Sequence, residues 1–276
     1  MARTNHNSGP VLEIYVDQFA FFLKDQTAPD TNGNQSELIW SVFVNQFTHT
    51  SAIDRLQQVR DSIHTFEARY GRVEGSVQLL AVSKRKPVAV IQEAASLGQQ
   101  HFGENYPSEA VEKIQALNKL DLIWHFIGGL QSRKATVVAE HFDWVHSVDR
   151  LKVASRLSAT RATMSEPLNI CLQVNLDAEQ NKSGIEPAAV EELAGQCVSL
   201  PGLRLRGLMA IPAIRENLTE QRKTFARLKN LLDSLKPSYP ELDTLSMGMS
   251  ADLEAAIAEG ATIVRVGTAI FGARDR

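Results

Sequence analysis

The sequence predicts an α/β protein, a single (β/α)8 TIM barrel preceded by an N-terminal helix, on three observations. Eight short apolar runs recur from Leu79 onward, with successive ends roughly 20 to 37 residues apart, enough for a parallel crossover. A helical pattern follows each run. The first run, Leu79-Leu80-Ala81-Val82-Ser83-Lys84, is continuously apolar rather than alternating, as in a strand covered on both faces. An open doubly wound sheet is the alternative, but Pro87 follows the first strand where that fold would place a Gly-x-Gly fingerprint.

Residues 1–49 differ from the rest. They are rich in Asn, Gln, Thr and Ser, and 30–34 form a turn-like cluster. They read as an N-terminal extension, and residues 50–276 as the barrel. A helix follows, with Ser51 as its expected N-cap and Ile53, Leu56, Val59, Ile63 and Phe66 at helical spacing up to Gly71.

The repeating units come next. After the first strand a helix is expected over 87–97, closed by Gly98. Strand 101–104 precedes a helix to about 117; strand 122–127 ends at Gly128-Gly129 and leads to helix 134–141. Strand 144–148 precedes helix 150–160, and strand 168–175 leads through a polar loop at 177–184 into helix 187–200. Strand 203–211 precedes a long helix over 216–235, strand 244–248 a helix over 251–258, and strand 262–267 a last short turn from Thr268.

Composition narrows the function. The chain has 276 residues, is 43% hydrophobic and 22% charged, and carries a net charge of −3. That is an ordinary globular balance, with no general basic field to attract nucleic acid. No run approaches a membrane span, and residues 19–23 lack the flanks of a secretory signal. Cys171 and Cys197 have no metal-ligand spacing and read as reduced packing residues of a cytoplasmic protein.

In a barrel the C-terminal strand ends converge on one mouth. Those ends carry Lys84, Glu104, Asn105, His125, Gly128, Asn175, Met209, Ser246, Gly248, Ser250, Arg265, Gly267 and Thr268. The set holds neither a carboxylate pair nor a metal cluster. A lysine at an apolar strand end loses its proton more readily than one in water and can attack an aldehyde; the competing reading is a lysine that snorkels to the surface. Glu104 reads as a structural hydrogen-bond partner. Ser246-Met247-Gly248-Met249-Ser250 and Arg265-Val266-Gly267-Thr268 end strands seven and eight, where barrels commonly bind phosphate, and Ser250 sits where a helix N-cap belongs. Taken singly, these residues are also ordinary turn formers. A phosphate site facing a strand-end lysine suits pyridoxal phosphate (PLP). Alternation points Arg265 inward, either toward the ring nitrogen of such a cofactor or into an interior salt bridge. Beside that nitrogen, a permanently charged donor would keep it unprotonated and weaken the ring as an electron sink.

At these residues the chain resembles the YggS/PROSC group of PLP homeostasis proteins, whose barrel is like the N-terminal domain of alanine racemase. The matching stretches include Ala81-Val82-Ser83-Lys84, His101-Phe102-Gly103-Glu104-Asn105-Tyr106, Trp124-His125-Phe126-Ile127-Gly128, Asn181-Lys182-Ser183-Gly184, Arg206-Gly207-Leu208-Met209-Ala210-Ile211 and the two terminal motifs. They cover about residues 51 to 274, with departures at Gly129 and Arg133. The resemblance implies a PLP Schiff base on Lys84, with Ser250, Gly267 and Thr268 at the phosphate. It also implies Arg265 near the ring nitrogen and Asn105 and Met209 lining the pocket. The expected role is to hold PLP and hand it to PLP-dependent apoenzymes as a monomer, without robust catalysis. The alternatives are an amino-acid racemase and a regulatory interaction protein stabilised by PLP. Racemisation needs an acid/base group on each face of the substrate. In alanine racemase one comes from a second domain and the neighbouring subunit, which a chain ending at Arg276 is expected to lack.

Overall fold

The computed structural model describes residues 52–177 and 183–272. The extension expected over 1–49, the Ser51 cap and part of the 177–184 loop lie outside these residues.

Helix α1 (Ala52–Arg69) buries Leu56, Val59 and Ile63 on one face. It ends at Gly71, whose φ of +63° suits a residue without a side chain. Then come β1 (Gln78–Val82), α2 (Val88–Ser96), β2 (His101–Glu104), α3 (Pro107–Ala116), β3 (Ile123–Phe126), α4 (Ala135–His141), β4 (Trp144–Val148) and α5 (Leu151–Arg161). The second half is β5 (Leu168–Gln173), α6 (Val190–Val198), β6 (Leu203–Met209), α7 (Leu218–Leu235), β7 (Thr244–Ser246), α8 (Leu253–Ala258), β8 (Ile263–Val266) and α9 (Thr268–Phe271). All eight expected strands form, every neighbouring pair is parallel, and β8 closes on β1.

Some boundaries differ from expectation for local reasons. Strand β1 stops at Val82, so Lys84 lies in the loop beyond it. Helix α7 starts at Leu218, because the Asn217 side chain accepts the Glu220 N–H at 3.0 Å and takes the N-cap. Ser250 does not cap α8. The loop turns once more, and Asp252, whose carboxylate accepts the Met249 N–H, occupies the N-cap.

Strand alternation sorts the side chains into two layers. Leu79, Ala81, Phe102, Trp124, Val145, Ile170, Leu172, Leu208 and Val264 point outward and join the helices in the main core. Inside the barrel, Leu80, Ile127 and Ile263 pack with Val82 and Trp144. Between β5 and β6 the register slips by one residue, from Ile170↔Leu205 to Cys171↔Gly207. A Cβ on Gly207 would fall 1.9 Å from the Thr244 carbonyl oxygen, so the strand crossing admits glycine alone. Cys171 and Cys197 are buried free thiols, and burial pushes both up to about 12. No helix among the described residues is long and apolar enough to cross a membrane, and no group of three or more His, Cys, Asp or Glu among them could hold a metal ion.

Candidate functional site

The inward parity of β1 runs through Leu80 and Val82 to Lys84. The same parity places Asn105 on β2, Met209 on β6, and Arg265 and Gly267 on β8. Register ties them to one end. Val82 pairs with Gly103, two residues before Lys84 and Asn105 respectively. Ala81 pairs with Val266, one residue before Gly267. Met209 pairs with Ser246, and the Arg265 N–H donates to the Gly248 carbonyl at 2.9 Å.

Lys84 is half-buried in a tight turn. The Lys86 N–H closes it onto the Ser83 carbonyl at 3.0 Å, and Arg85 has a φ of +59°, the pattern of a type II turn with an arginine where glycine is usual. A left-handed non-glycine backbone costs free energy and is retained where its surroundings impose it. Here the Arg85 N–H donates to Glu109, and its guanidinium lies over the Tyr106 ring, 5.5 Å from the centroid.

Behind the turn, outside the strand wall, lies a charged cradle. The buried Ser83 hydroxyl donates to Glu104 Oε1 at 2.7 Å, and its N–H donates to the Gly103 carbonyl at 3.0 Å. Lys113 Nζ donates to the Ser83 carbonyl at 2.8 Å, to Glu104 at 2.7 Å and to Glu109 at 2.6 Å. Burial pushes the Glu104 carboxyl upward, against the opposing pull of Lys113 and Ser83. Glu104 thus has the structural role expected of it, aimed away from the mouth.

Arg265 is buried, and its partners are neutral rather than acidic. Nη1 donates to Ser246 Oγ at 2.8 Å and Nη2 to the Ala210 carbonyl at 2.9 Å, so among the described residues the interior salt bridge does not form. Burial lowers Arg265 to about 10, opposed by the more distant Asp252, and it stays protonated at neutral pH. Met209, also buried, ends β6, one residue before the Ala210 carbonyl that Arg265 holds.

The rim is polar and open. Ser250 and Thr268 are exposed. The backbone N–H groups of Ser250, Ala251 and Thr268 find no acceptor among the described residues, which leaves a cluster of donors at the last two loops. Gly267 lies close against β1, where a Cβ would come 3.2 Å from the Val82 carbonyl oxygen. Asn105 Oδ1, on the inward parity of β2, is buried without a partner among the described residues, an unspent acceptor. Gly128 lets β3 approach it, since a Cβ there would lie 2.3 Å from the Asn105 carbonyl oxygen.

His125 is not at the mouth, where the strand-end reading put it. It lies lower in the barrel, fully buried, hydrogen-bonded to His101 and His146 at 2.9 Å each. His146 in turn meets Ser246 Oγ at 2.7 Å. Reading one strand end at a time misses this chain, although the inward parity of three histidines on consecutive strands signals it.

The family known as alanine racemase, N-terminal domain, matches residues 55–275. The chain belongs to this family. Within it, the relatives include the pyridoxal phosphate homeostasis protein of Escherichia coli strain K12, 52% identical over 223 residues that span 80% of this chain and 95% of that protein. The protein of the same name in Pseudomonas aeruginosa is 57% identical over 205 residues, 74% of this chain and 88% of the relative. Among solved structures, PipY of Synechococcus elongatus PCC7942 with PLP bound superposes with a TM-score of 0.71 at 40% identity, covering 80% of this chain and all of PipY. Alanine racemase of Clostridium difficile 630 superposes with a TM-score of 0.66 at 16% identity over 80% of this chain and 57% of its own, which speaks for the barrel alone. The chain is thus a family member of the homeostasis kind, as its sequence motifs imply.

Proposed function

We propose that the barrel binds pyridoxal 5'-phosphate and serves PLP homeostasis, keeping the cofactor on Lys84 and releasing it to apoenzymes rather than using it for catalysis of its own. The observation that carries this reading is the convergence at one mouth of a positioned lysine, a buried arginine with neutral partners and a cluster of unspent backbone donors. The orphaned Asn105 Oδ1 adds a polar contact for a ring substituent, so the residues present fit the cofactor. The names of the relatives and the PLP in PipY support the same ligand.

Each residue has a definable part. The turn at Ser83–Lys86 fixes the backbone at Lys84, whose amine would follow the inward parity of β1. The donors at Ser250 and Thr268, with the close-packed backbone at Gly267, would hold the phosphate, and Met209 would form the apolar floor near Arg265. When bound, PLP supplies an aldehyde carbon with which an amine can condense. Arg265 presents N–H donors and no acceptor, so it favours an unprotonated ring nitrogen. That charge state withdraws electrons poorly, which suits storage better than racemisation.

We take residues 1–49 as an extension to a PLP-binding barrel over 50–276, acting as a monomer in the cytoplasm. Two buried thiols held without a disulfide accord with a reducing compartment.

The test is borohydride reduction of the PLP-loaded protein followed by peptide mapping. The label should fall on Lys84 and vanish in Lys84→Ala. A label on another lysine would refute the assignment. Rapid exchange of Cα hydrogen in any common amino acid by the loaded protein would replace the carrier with a racemase.

A further inference from the structure

The histidines at inward positions 101, 125 and 146 form an unbroken line with Ser246 and Arg265. His101 Nδ1 meets His125 Nε2, His125 Nδ1 meets His146 Nε2, and His146 Nδ1 meets Ser246 Oγ, at 2.9, 2.9 and 2.7 Å. Arg265 Nη1 closes the line on Ser246 at 2.8 Å.

The direction of these bonds follows from the arginine. A guanidinium only donates, so Ser246 Oγ accepts from it. The serine proton then has one partner among the described residues, His146 Nδ1. His146 must therefore carry its own proton on Nε2 and donate it to His125 Nδ1. The same logic passes to His125 and then to His101, whose Nε2–H is left at the far end. Reversing the chain would point two donors at Ser246 and leave the serine proton without an acceptor, a costly arrangement at a fully buried site.

The far end is wet. His101 lines a cavity of about 270 Å³ at the N-terminal end of the barrel, opposite the mouth, with Arg60, His64, Glu67, Gln99 and Gln100. The middle is dry. His125 and His146 are fully buried, and the Trp144 ring stacks on His125 with centroids 5.4 Å apart and an angle of 11°.

We propose that His101, His125 and His146 are a proton path, its resting hydrogen bonds oriented by Arg265 through Ser246, that connects the ring-nitrogen end of the site with solvent at the opposite end of the barrel. Its use by a bound ligand rests on the PLP reading above. Its existence does not. A proton from a hydronium ion or a ligand ammonium group at the mouth goes to Ser246 Oγ while the hydroxyl proton passes to His146 Nδ1. His146 gives its Nε2 proton to His125 Nδ1, His125 gives its own to His101 Nδ1, and His101 releases its Nε2 proton to water or a buffer base in the cavity. The net result is one proton moved, no change in charge along the chain, and three rings left protonated on Nδ1. Rotation of the rings resets the chain for another passage, whereas return transfer undoes the one just made.

Electrostatics agree with a neutral relay. Burial, then His146 and His101, hold His125 well below the usual histidine range; burial, then Arg265, lower His146 to about 3; burial lowers His101. The other groups facing the line are Cys171, a neutral thiol, and Asp252, which acts on Arg265; in the cavity they are Arg60, His64 and Glu67.

The experiment is nitrogen-15 NMR of histidine-labelled, cofactor-free protein, so that failure of the PLP reading and failure of this one are distinguishable. In the wild type all three rings should be neutral with the proton on Nε2, and in Ser246→Ala both tautomers should appear. In His101→Phe, exchange of the His125 and His146 ring protons with solvent should slow by about tenfold or more, as losing the outlet raises the barrier. An Nδ1–H tautomer at His125 or His146 in the wild type would overturn the direction. Unchanged tautomers in Ser246→Ala would overturn the anchoring role, and unchanged exchange in His101→Phe would overturn the path. The wild-type spectrum decides the first point without any variant.

Discussion

Lys113 Nζ lies 2.7 Å from Glu104 Oε1 and 2.8 Å from the Ser83 carbonyl oxygen, so one ammonium ties a buried carboxylate to the residue that precedes Lys84. The pair sits behind the strand wall, where both side chains are almost wholly shielded from water. Removing one partner of such a pair leaves the other charged and unpaired. Lys113→Met should therefore cost about 3–5 kcal/mol, read as a lower urea midpoint, and Glu104→Gln combined with Lys113→Met should recover much of it. The pH dependence has a definite sign. Burial raises the folded-state pKa of Glu104, so its contribution to stability is present in acid and lost as pH rises through that raised value. The deficit of Lys113→Met should accordingly shrink toward acid pH, where the orphaned carboxyl is protonated. A deficit that grows on acidification would refute this account.

Gly128 is the point where β3 leaves the barrel wall beside Asn105. A methyl group there would fall 2.3 Å from the Asn105 carbonyl oxygen and 2.8 Å from its Cα, both backbone atoms. Backbone cannot yield as a flexible side chain can, so Gly128→Ala should destabilise the fold by about 1–3 kcal/mol. It should also displace Asn105 and weaken PLP binding. Gly129→Ala is the control. A Cβ at that neighbour meets only Ser183 Oγ at 3.8 Å, an ordinary contact, and both readings should stay near wild type. Equal effects of the two substitutions, by unfolding and by absorbance titration, would remove the steric argument.

Much of this architecture was legible because a parallel barrel writes its strands as apolar runs. Leu79 to Val82 needs no partner to be read as a doubly covered strand, and Leu168 to Leu172 is much the same. The inward parity of Lys84, Asn105, Met209, Arg265 and Gly267 follows from period two. What escaped depends on closure in three dimensions. His146 and Ser246 are 100 residues apart, and only barrel closure brings them within 2.7 Å. Lys113 reads as an ordinary surface lysine on a helix, because nothing local reveals that Glu104 and Ser83 face it. Ser250 was expected to cap α8 because serine suits that position. Asp252, two residues on, takes the N-cap and holds the Met249 N–H instead, a competition between two good candidates that local sequence does not resolve.

The two buried histidines predict an acid limit to stability. Burial lowers His146 from 6.5 to about 3 and holds His125 well below 6.5. Depressed folded-state values mean that the stability is present above pH 6.5. Below that, the unfolded chain binds protons that the folded barrel refuses, so stability falls as pH drops toward those low values. Each histidine contributes a slope of at most about 1.4 kcal/mol per pH unit. His146→Gln should remove close to one proton's share of that slope between about pH 6 and 4. Urea midpoints collected across this range give the measurement, and an unaltered slope would mean that His146 titrates normally.

Arg265 offers the sharpest separation between a residue that holds the fold and one that holds the ligand. Its two terminal nitrogens span Ser246 Oγ and the Ala210 carbonyl, at 2.8 and 2.9 Å, and its remaining N–H groups have no acceptor among the described residues. An ammonium on a flexible stem cannot reproduce that planar fork. Arg265→Lys should therefore leave one of the two oxygens unsatisfied, lowering stability by about 1–3 kcal/mol. If Arg265 also partners the ring nitrogen, PLP affinity should fall about ten- to a hundredfold, the loss of one charged hydrogen bond, while borohydride still labels Lys84 at saturating ligand. A purely structural arginine would give the stability loss with no change in affinity. Absorbance titration beside urea unfolding distinguishes the two, because the first reads only the ligand and the second can be run without it.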